Sequence, residues 1–141
     1  IKNRTLQFKY KFIKVNIKWD SYEEILVNSQ LVISMSGTAA EQAIGLAKPV
    51  VQIEGEGPQF TQSFAEAQRR LLGKYVFCAS TYKNKKDQIE QTISLILKVI
   101  YLVHLDKNFL KYCRQNAKDR LGDTQASIRI IDDLNNVIEN E

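Results

Sequence analysis

Leu31-Val32-Ile33-Ser34-Met35-Ser36-Gly37-Thr38-Ala39-Ala40-Glu41-Gln42-Ala43-Ile44-Gly45-Leu46-Ala47-Lys48-Pro49-Val50-Val51-Gln52-Ile53 is the stretch that decides the fold. Leu31–Met35 is an almost continuous apolar run, the pattern of a strand covered on both faces. Thr38 to Ala47 reads as a helix. Pro49–Ile53 is the next strand, and its proline is tolerated at a strand start. Downstream, Glu54 to Gln59 is a loop containing Gly55, Gly57 and Pro58. Phe60 to Leu72 reads as a helix ended by Gly73. Tyr75–Cys78 is another apolar strand. Asp87 to about Leu105 is helical, with Ile89, Ile93, Ile96, Leu97 and Ile100 on one side. Asn108 to Leu121 and about Thr124 to Ile138 follow as helices, separated by Gly122-Asp123.

Upstream, Leu6, Phe8, Tyr10 and Phe12 alternate with polar residues, then Ile13, Val15, Ile17 and Trp19 take the odd positions. That change of parity requires a bulge or a reversal near Phe12–Ile13. Asp20-Ser21 can cap a short helix through Val27, with Glu23 and Glu24 in its first turn. From Val15 to Cys78 short apolar strands alternate with helices. The order predicts an α/β fold, a parallel sheet with right-handed crossovers and helices on both faces.

The chain has 141 residues, enough for one α/β domain and too few for two. With 44% hydrophobic and 26% charged residues it falls in the ordinary globular range. No apolar window is long enough for a membrane span: the best, Ile93 to Leu105, is broken by Ser94, Lys98 and His104. Cys78 and Cys113 have no metal or redox spacing and read as buried thiols. Lys2, Arg4, Lys9, Lys11, Lys14 and Lys18 all precede the first acid, Asp20. That segment could face an anionic surface or substrate, and a solvated strand face is the simpler reading. No nucleic-acid recognition motif accompanies the charge. The first residue is Ile, so the chain reads as a piece of a longer protein.

In a parallel α/β sheet, ligands bind beyond the carboxyl ends of the strands. There Ser36-Gly37-Thr38-Ala39 leads directly into a helix. Gly37 allows close backbone approach. The helix start offers unpaired N–H groups and a positive dipole end, which suit a phosphate or diphosphate. The turn is neither a P-loop nor a dinucleotide fingerprint, because the lysine and the further glycines are missing. Thr38-Ala39-Ala40-Glu41 also reads as a capping box, with Thr38 as the cap.

Residues Leu31–Val50, together with Gly57-Pro-Gln-Phe-Thr-Gln-Ser-Phe-Ala-Glu-Ala-Gln68, resemble the lipid-A-disaccharide-synthase-related family. More distantly they are similar to lipid-A-disaccharide synthase, the peptidoglycan N-acetylglucosaminyltransferase and the UDP-N-acetylglucosamine 2-epimerases. The similarity is sharp over about residues 29 to 73 and softer to Arg120–Ser127. It implies a GT-B glycosyltransferase of two Rossmann-like domains. Residues 1–141 would be the single, C-terminal, donor-binding domain, with the acceptor domain lying outside the chain.

The resemblance implies that Ser36, Gly37, Thr38 and Ala39 hold the diphosphate of a UDP-sugar. It places a ribose-gripping glutamate where this chain has Gln42, and Glu41 stands next to it. An amide both donates and accepts, whereas a carboxylate accepts from both hydroxyls, so either residue is a candidate. Gln59 and Gln62 are the candidates for the donor sugar. Trp19, beyond the Ile17 strand, could stack on the base or cap the core. Glu66 and Gln68 read as structural. There is no Asp-x-Asp pair, and neither a metal nor a cofactor is expected.

His104 reads as structural, and a general base would come from the other domain. The implied activity is sugar transfer to a lipid-linked or membrane-associated acceptor, with this chain alone inactive. The alternatives are a sugar-nucleotide 2-epimerase and a non-catalytic nucleotide-binding or interaction domain. The implied location is cytoplasmic. A second copy would pair through the basic strand segment before Asp20 or the last helix, and a peripheral contact with the inner membrane face is the other implied partner.

Overall fold

The computed structural model describes residues 4–55, 61–79, 82–122 and 126–138. They fall into two compact units, Ile1–Gln30 and Leu31–Glu141.

In the first unit, β1 (Thr5–Tyr10) and β2 (Ile13–Lys18) pair antiparallel, with Leu6 opposite Ile17, Phe8 opposite Val15 and Tyr10 opposite Ile13. The parity change is therefore a reversal, made by Lys11 and Phe12. Lys11 takes φ 54°, in the left-handed region, although no glycine marks the turn. The Val15 strand consequently belongs to this hairpin and does not join the parallel sheet. The Trp19 N–H donates to the Arg4 carbonyl at 3.1 Å and extends the ladder. Helix α1 (Tyr22–Asn28) follows. Ser21 stands at its N-cap but makes no side-chain capping bond; its hydroxyl donates to the Trp19 carbonyl instead. Lys18 and Glu24 form an exposed ion pair at 2.8 Å, a contact of small energetic weight.

The second unit holds a three-stranded parallel sheet, β3 (Val32–Ser34), β4 (Val50–Gln52) and β5 (Val76–Phe77), in that order. The strands are shorter than the apolar runs that announced them. The central strand β4 is buried throughout, but β3 is an edge strand and leaves Ile33 50% exposed. An apolar run thus marked a strand without guaranteeing cover on both faces. Helix α2 (Gly37–Gly45) joins β3 to β4 and packs on both, burying Ala40, Ala43 and Ile44. Its end is a Schellman-type turn, in which Lys48 N–H donates to the Ala43 carbonyl and Ala47 takes φ 57°. Helix α3 (Gln62–Leu72) is capped by Thr61, whose Oγ1 accepts from the Phe64 N–H.

Helices α4 (Lys85–Leu105), α5 (Phe109–Leu121) and α6 (Ala126–Ile138) complete the described chain. Asn84 caps α4 by accepting from Asp87 N–H. Asp87 in turn accepts from Lys83 N–H and from Gln91, and these bonds hold its carboxyl below the usual range. On α4 the apolar side named by periodicity is not the core side: Ile89, Ile93, Leu97 and Ile100 are exposed, and Val99 is the buried residue. No described helix is long and apolar enough to cross a membrane.

One joint locks α5 to the α3–β5 connection. Buried Asn116 donates through Nδ2 to the Leu72 carbonyl at 2.8 Å. Gly73 there has φ 94°, and a Cβ on it would stand 2.1 Å from Asn116 Oδ1. Tyr75 and Phe109 add an edge-to-face ring contact at 5.5 Å. Gly73→Ala therefore combines backbone strain with a collision against a buried amide. It is expected to cost at least about 2 kcal/mol of unfolding free energy, measured by urea denaturation.

Candidate functional site

The carboxyl end of the parallel sheet gathers side chains from β3, β4, α2 and α3. Ser34 closes β3 and is buried. Its hydroxyl donates to the Ser36 carbonyl at 2.9 Å and accepts from the Ser36 N–H at 3.1 Å. These two hydrogen bonds pin the turn between strand and helix. Ser36 is the N-cap, with extended φ −110° and ψ 141°, and makes no side-chain capping bond. The helix thus begins at Gly37, two residues earlier than the capping-box reading requires. Thr38 lies inside the first turn, and the Thr38–Glu41 box is not formed. A side chain hydrogen-bonded to its own strand–helix turn, Ser34, holds this entry instead. The first-turn N–H groups of Gly37, Thr38 and Ala39 have no intrahelical acceptor. An uncapped helix start of this kind attracts an anion.

Gly37 faces α3. A Cβ there would lie 3.1 Å from Phe64 Cζ and 3.3 Å from Gln68 Nε2. The glycine therefore serves close packing, and it brings the Gln68 amide against the helix start. Gln68 is 9% exposed, and its Oε1 has no hydrogen-bond partner among the described residues. Gln52, the Cα partner of Ser34 across the β3–β4 ladder, is 2% exposed, and among the described residues neither end of its amide has a hydrogen-bond partner. Glu54, two residues on, has an Oε1 without a partner among the described residues, while its Oε2 accepts from the Tyr82 hydroxyl. That bond first, then burial and the carboxylate charge, push the Tyr82 phenol up. Each buried polar group left unpaired costs on the order of 1–3 kcal/mol. Their concentration at one end of the sheet is what makes this end the candidate site.

The sequence-derived residues divide by element. Ser36, Gly37, Thr38 and Ala39 share the α2 start. Glu41 and Gln42 are both exposed along α2, away from the buried Ala40–Ala43–Ile44 face. Gln42 stands one helical turn below Thr38, and Glu41 one turn below Gly37. Gln62 opens α3 and is half-buried. Gln59 lies outside the described residues, as do Asp123 and Thr124. Trp19 belongs to the other unit and is half exposed. Residue pattern alone does not single out Gln52, Glu54 or Tyr82, and it reads Gln68 as structural. The available signal was Gln52 itself, an amide in the middle of Val50-Val51-Gln52-Ile53.

Both cysteines are buried and free. Burial, and then the neighbouring Glu66 carboxylate, push the Cys78 thiol up. Burial alone pushes the Cys113 thiol up to about 11. Neither is an activated nucleophile. Among the described residues no group of three or more His, Cys, Asp or Glu is placed to hold a metal ion. A separate hollow of about 400 Å³ is lined by Lys74, Tyr112, Asn116 and Arg120. It opens beside Lys74 and Tyr75, ahead of β5, and so lies away from the carboxyl ends where parallel sheets bind ligands.

Comparison of the chain with protein-family models, with curated proteins and with solved structures finds no match.

Replacing the unbonded amide at the end of β4 separates stability from binding. Gln52→Met keeps the shape and removes the unpaired polar atoms. It is expected to raise unfolding free energy by about 1–3 kcal/mol in urea denaturation. A loss of stability would mean that the amide is paired in the folded protein.

Proposed function

We propose that this chain is the donor-binding domain of a GT-B glycosyltransferase, taking a UDP-sugar at the start of α2. The observation that carries this reading is the uncapped α2 start beside the unbonded amide atoms of Gln52 and Gln68, at the carboxyl end of parallel strands. The N–H groups of Gly37, Thr38 and Ala39 would bind the diphosphate, with the helix dipole aligned to favour its charge. Thr38 adds a hydroxyl donor at the same turn. Neutral amides both donate and accept, which suits sugar hydroxyls better than phosphate. Gln52 and Gln68 therefore join Gln62 and Gln59 as residues for the sugar end. Gln42 or Glu41, on the exposed line of α2, would meet the ribose.

The resemblance of residues 29 to 73 to the lipid-A-disaccharide-synthase-related family supplies the acceptor class, a lipid-linked or membrane-associated hydroxyl. Inverting transfer needs a base within hydrogen-bond reach of that hydroxyl. It also needs a closed cleft that aligns donor and acceptor. Both would come from a second domain, so this chain binds the donor and does not turn it over. A second reading, a nucleotide-binding domain without catalysis, is favoured by one observation. Gln42 stands where the resembling family carries a glutamate.

Titration with UDP, followed by amide NMR, is expected to move the signals of Gly37, Thr38 and Ala39. Thr38→Ala should weaken UDP binding roughly tenfold, the loss of one hydrogen bond to a charged group. Because Thr38 is not the cap, its stability should stay within about 0.5 kcal/mol of the parent. Unmoved Gly37 and Thr38 signals at saturating UDP would reject the site.

A further inference from the structure

The antiparallel register of the β1–β2 hairpin sorts its side chains by chemistry. Leu6, Phe8 and Tyr10 of β1 share one face with Ile13, Val15 and Ile17 of β2. All but Val15 are exposed. Phe12, at the turn, is 87% exposed. Across the hairpin, Thr5 faces Lys18, Gln7 faces Asn16 and Lys9 faces Lys14. Residues 4–19 contain five cations and no acid, in a chain whose net charge is +4. The charge excess of the protein is therefore concentrated on this one element. Lys18 is answered by Glu24, and Lys11 stands over the Tyr10 ring. Lys9 and Lys14 are like charges placed directly opposite, an arrangement that destabilises a ladder.

A two-stranded hairpin is marginal on its own, and this one carries an uncovered apolar face. Its two faces match the chemistry of an interface-bound element. One side is apolar and aromatic; the other is cationic, with long side chains able to reach back to headgroups. We propose that the β1–β2 hairpin docks on an anionic lipid surface. Leu6, Phe8, Tyr10 and Phe12 enter the headgroup–acyl boundary, and Arg4, Lys9, Lys11 and Lys14 bind the lipid phosphates. Anionic headgroups offset the Lys9–Lys14 repulsion, which no ion pair among the described residues answers. A second copy on the same face would bring together two hairpins with no acid between residues 4 and 19 of either, so the charge pattern favours lipid.

The chain has one tryptophan, Trp19, just beyond β2, which reports directly on this docking. Vesicles of phosphatidylcholine with phosphatidylglycerol should sediment the whole chain and shift Trp19 emission to the blue. Phosphatidylcholine alone should do neither, and raised salt should release the bound protein. Lys9→Gln should weaken vesicle partition about fivefold. The same substitution should slow amide exchange in β1 and β2, because a repulsion is removed. A binding defect caused by misfolding would speed that exchange instead, and would count against the proposal. Phe12→Ser, at the exposed turn, should weaken partition without altering the ladder. Equal sedimentation with neutral vesicles, or none with anionic ones, overturns the assignment. So does a concentration-dependent dimer that Phe12→Ser abolishes, which would give the face to a second copy.

Discussion

Parallel pairing of β4 with a strand on each side is the constraint on which residues 31–122 depend. Parallel neighbours cannot be joined by a tight turn, so each connection must leave one end of the sheet and return to the other. Helices α2 and α3 make those returns. Every strand-to-helix turn then falls at the same end of the sheet, where Ser34, Gln52 and Gly37 come together. The fully buried side chains of Val50, Val51 and Val76 hold the strands in that register. Asn116 and Gly73 hold the return path from α3 into β5. The candidate site is thus a consequence of topology before it is a matter of particular functional groups.

The same end of the sheet is where the structure departs from what stability alone would choose. The strand Val50-Val51-Gln52 ends on a buried amide with no hydrogen-bond partner among the described residues, although an apolar residue would fit the pattern. Gln68 and Glu54 repeat the departure on neighbouring elements. Away from this end, buried Asn116 is satisfied by its bond to the Leu72 carbonyl. The contrast supports binding at this end rather than looseness throughout, since unpaired polar atoms are costly where water is excluded. The hairpin shows the complementary departure. Its apolar side chains stay exposed, and its cations are left next to one another.

Much of this was legible in residue order. Apolar runs located β3, β4 and β5, and helical spacing located α2 to α6, because local side-chain period follows backbone geometry directly. Gly37 announced the close turn and Gly73 the end of α3. Other features depended on partners distant in sequence. Whether the parity change at Phe12–Ile13 was a bulge or a reversal turned on a left-handed Lys11 that residue type does not announce. The cap of α2 passed from Thr38 to Ser36 because Ser34 could bond the turn from the strand. The buried side of α4 moved to Val99, since the side that packs is chosen by its neighbours as well as by periodicity.

The sequence by itself determined the α/β order, the parallel strands with their helical crossovers, and the place of the strand-to-helix turn at Ser36–Ala39. Each of these rests on interactions between residues close along the chain. Tertiary structure alone decided that Gln68 lies against Gly37, that Gln52 and Glu54 keep unbonded polar atoms, and that the apolar residues of the hairpin share one exposed face. Hydrogen-bond satisfaction and burial are properties of what surrounds a group in space, and those surroundings exist only once the strands are in register.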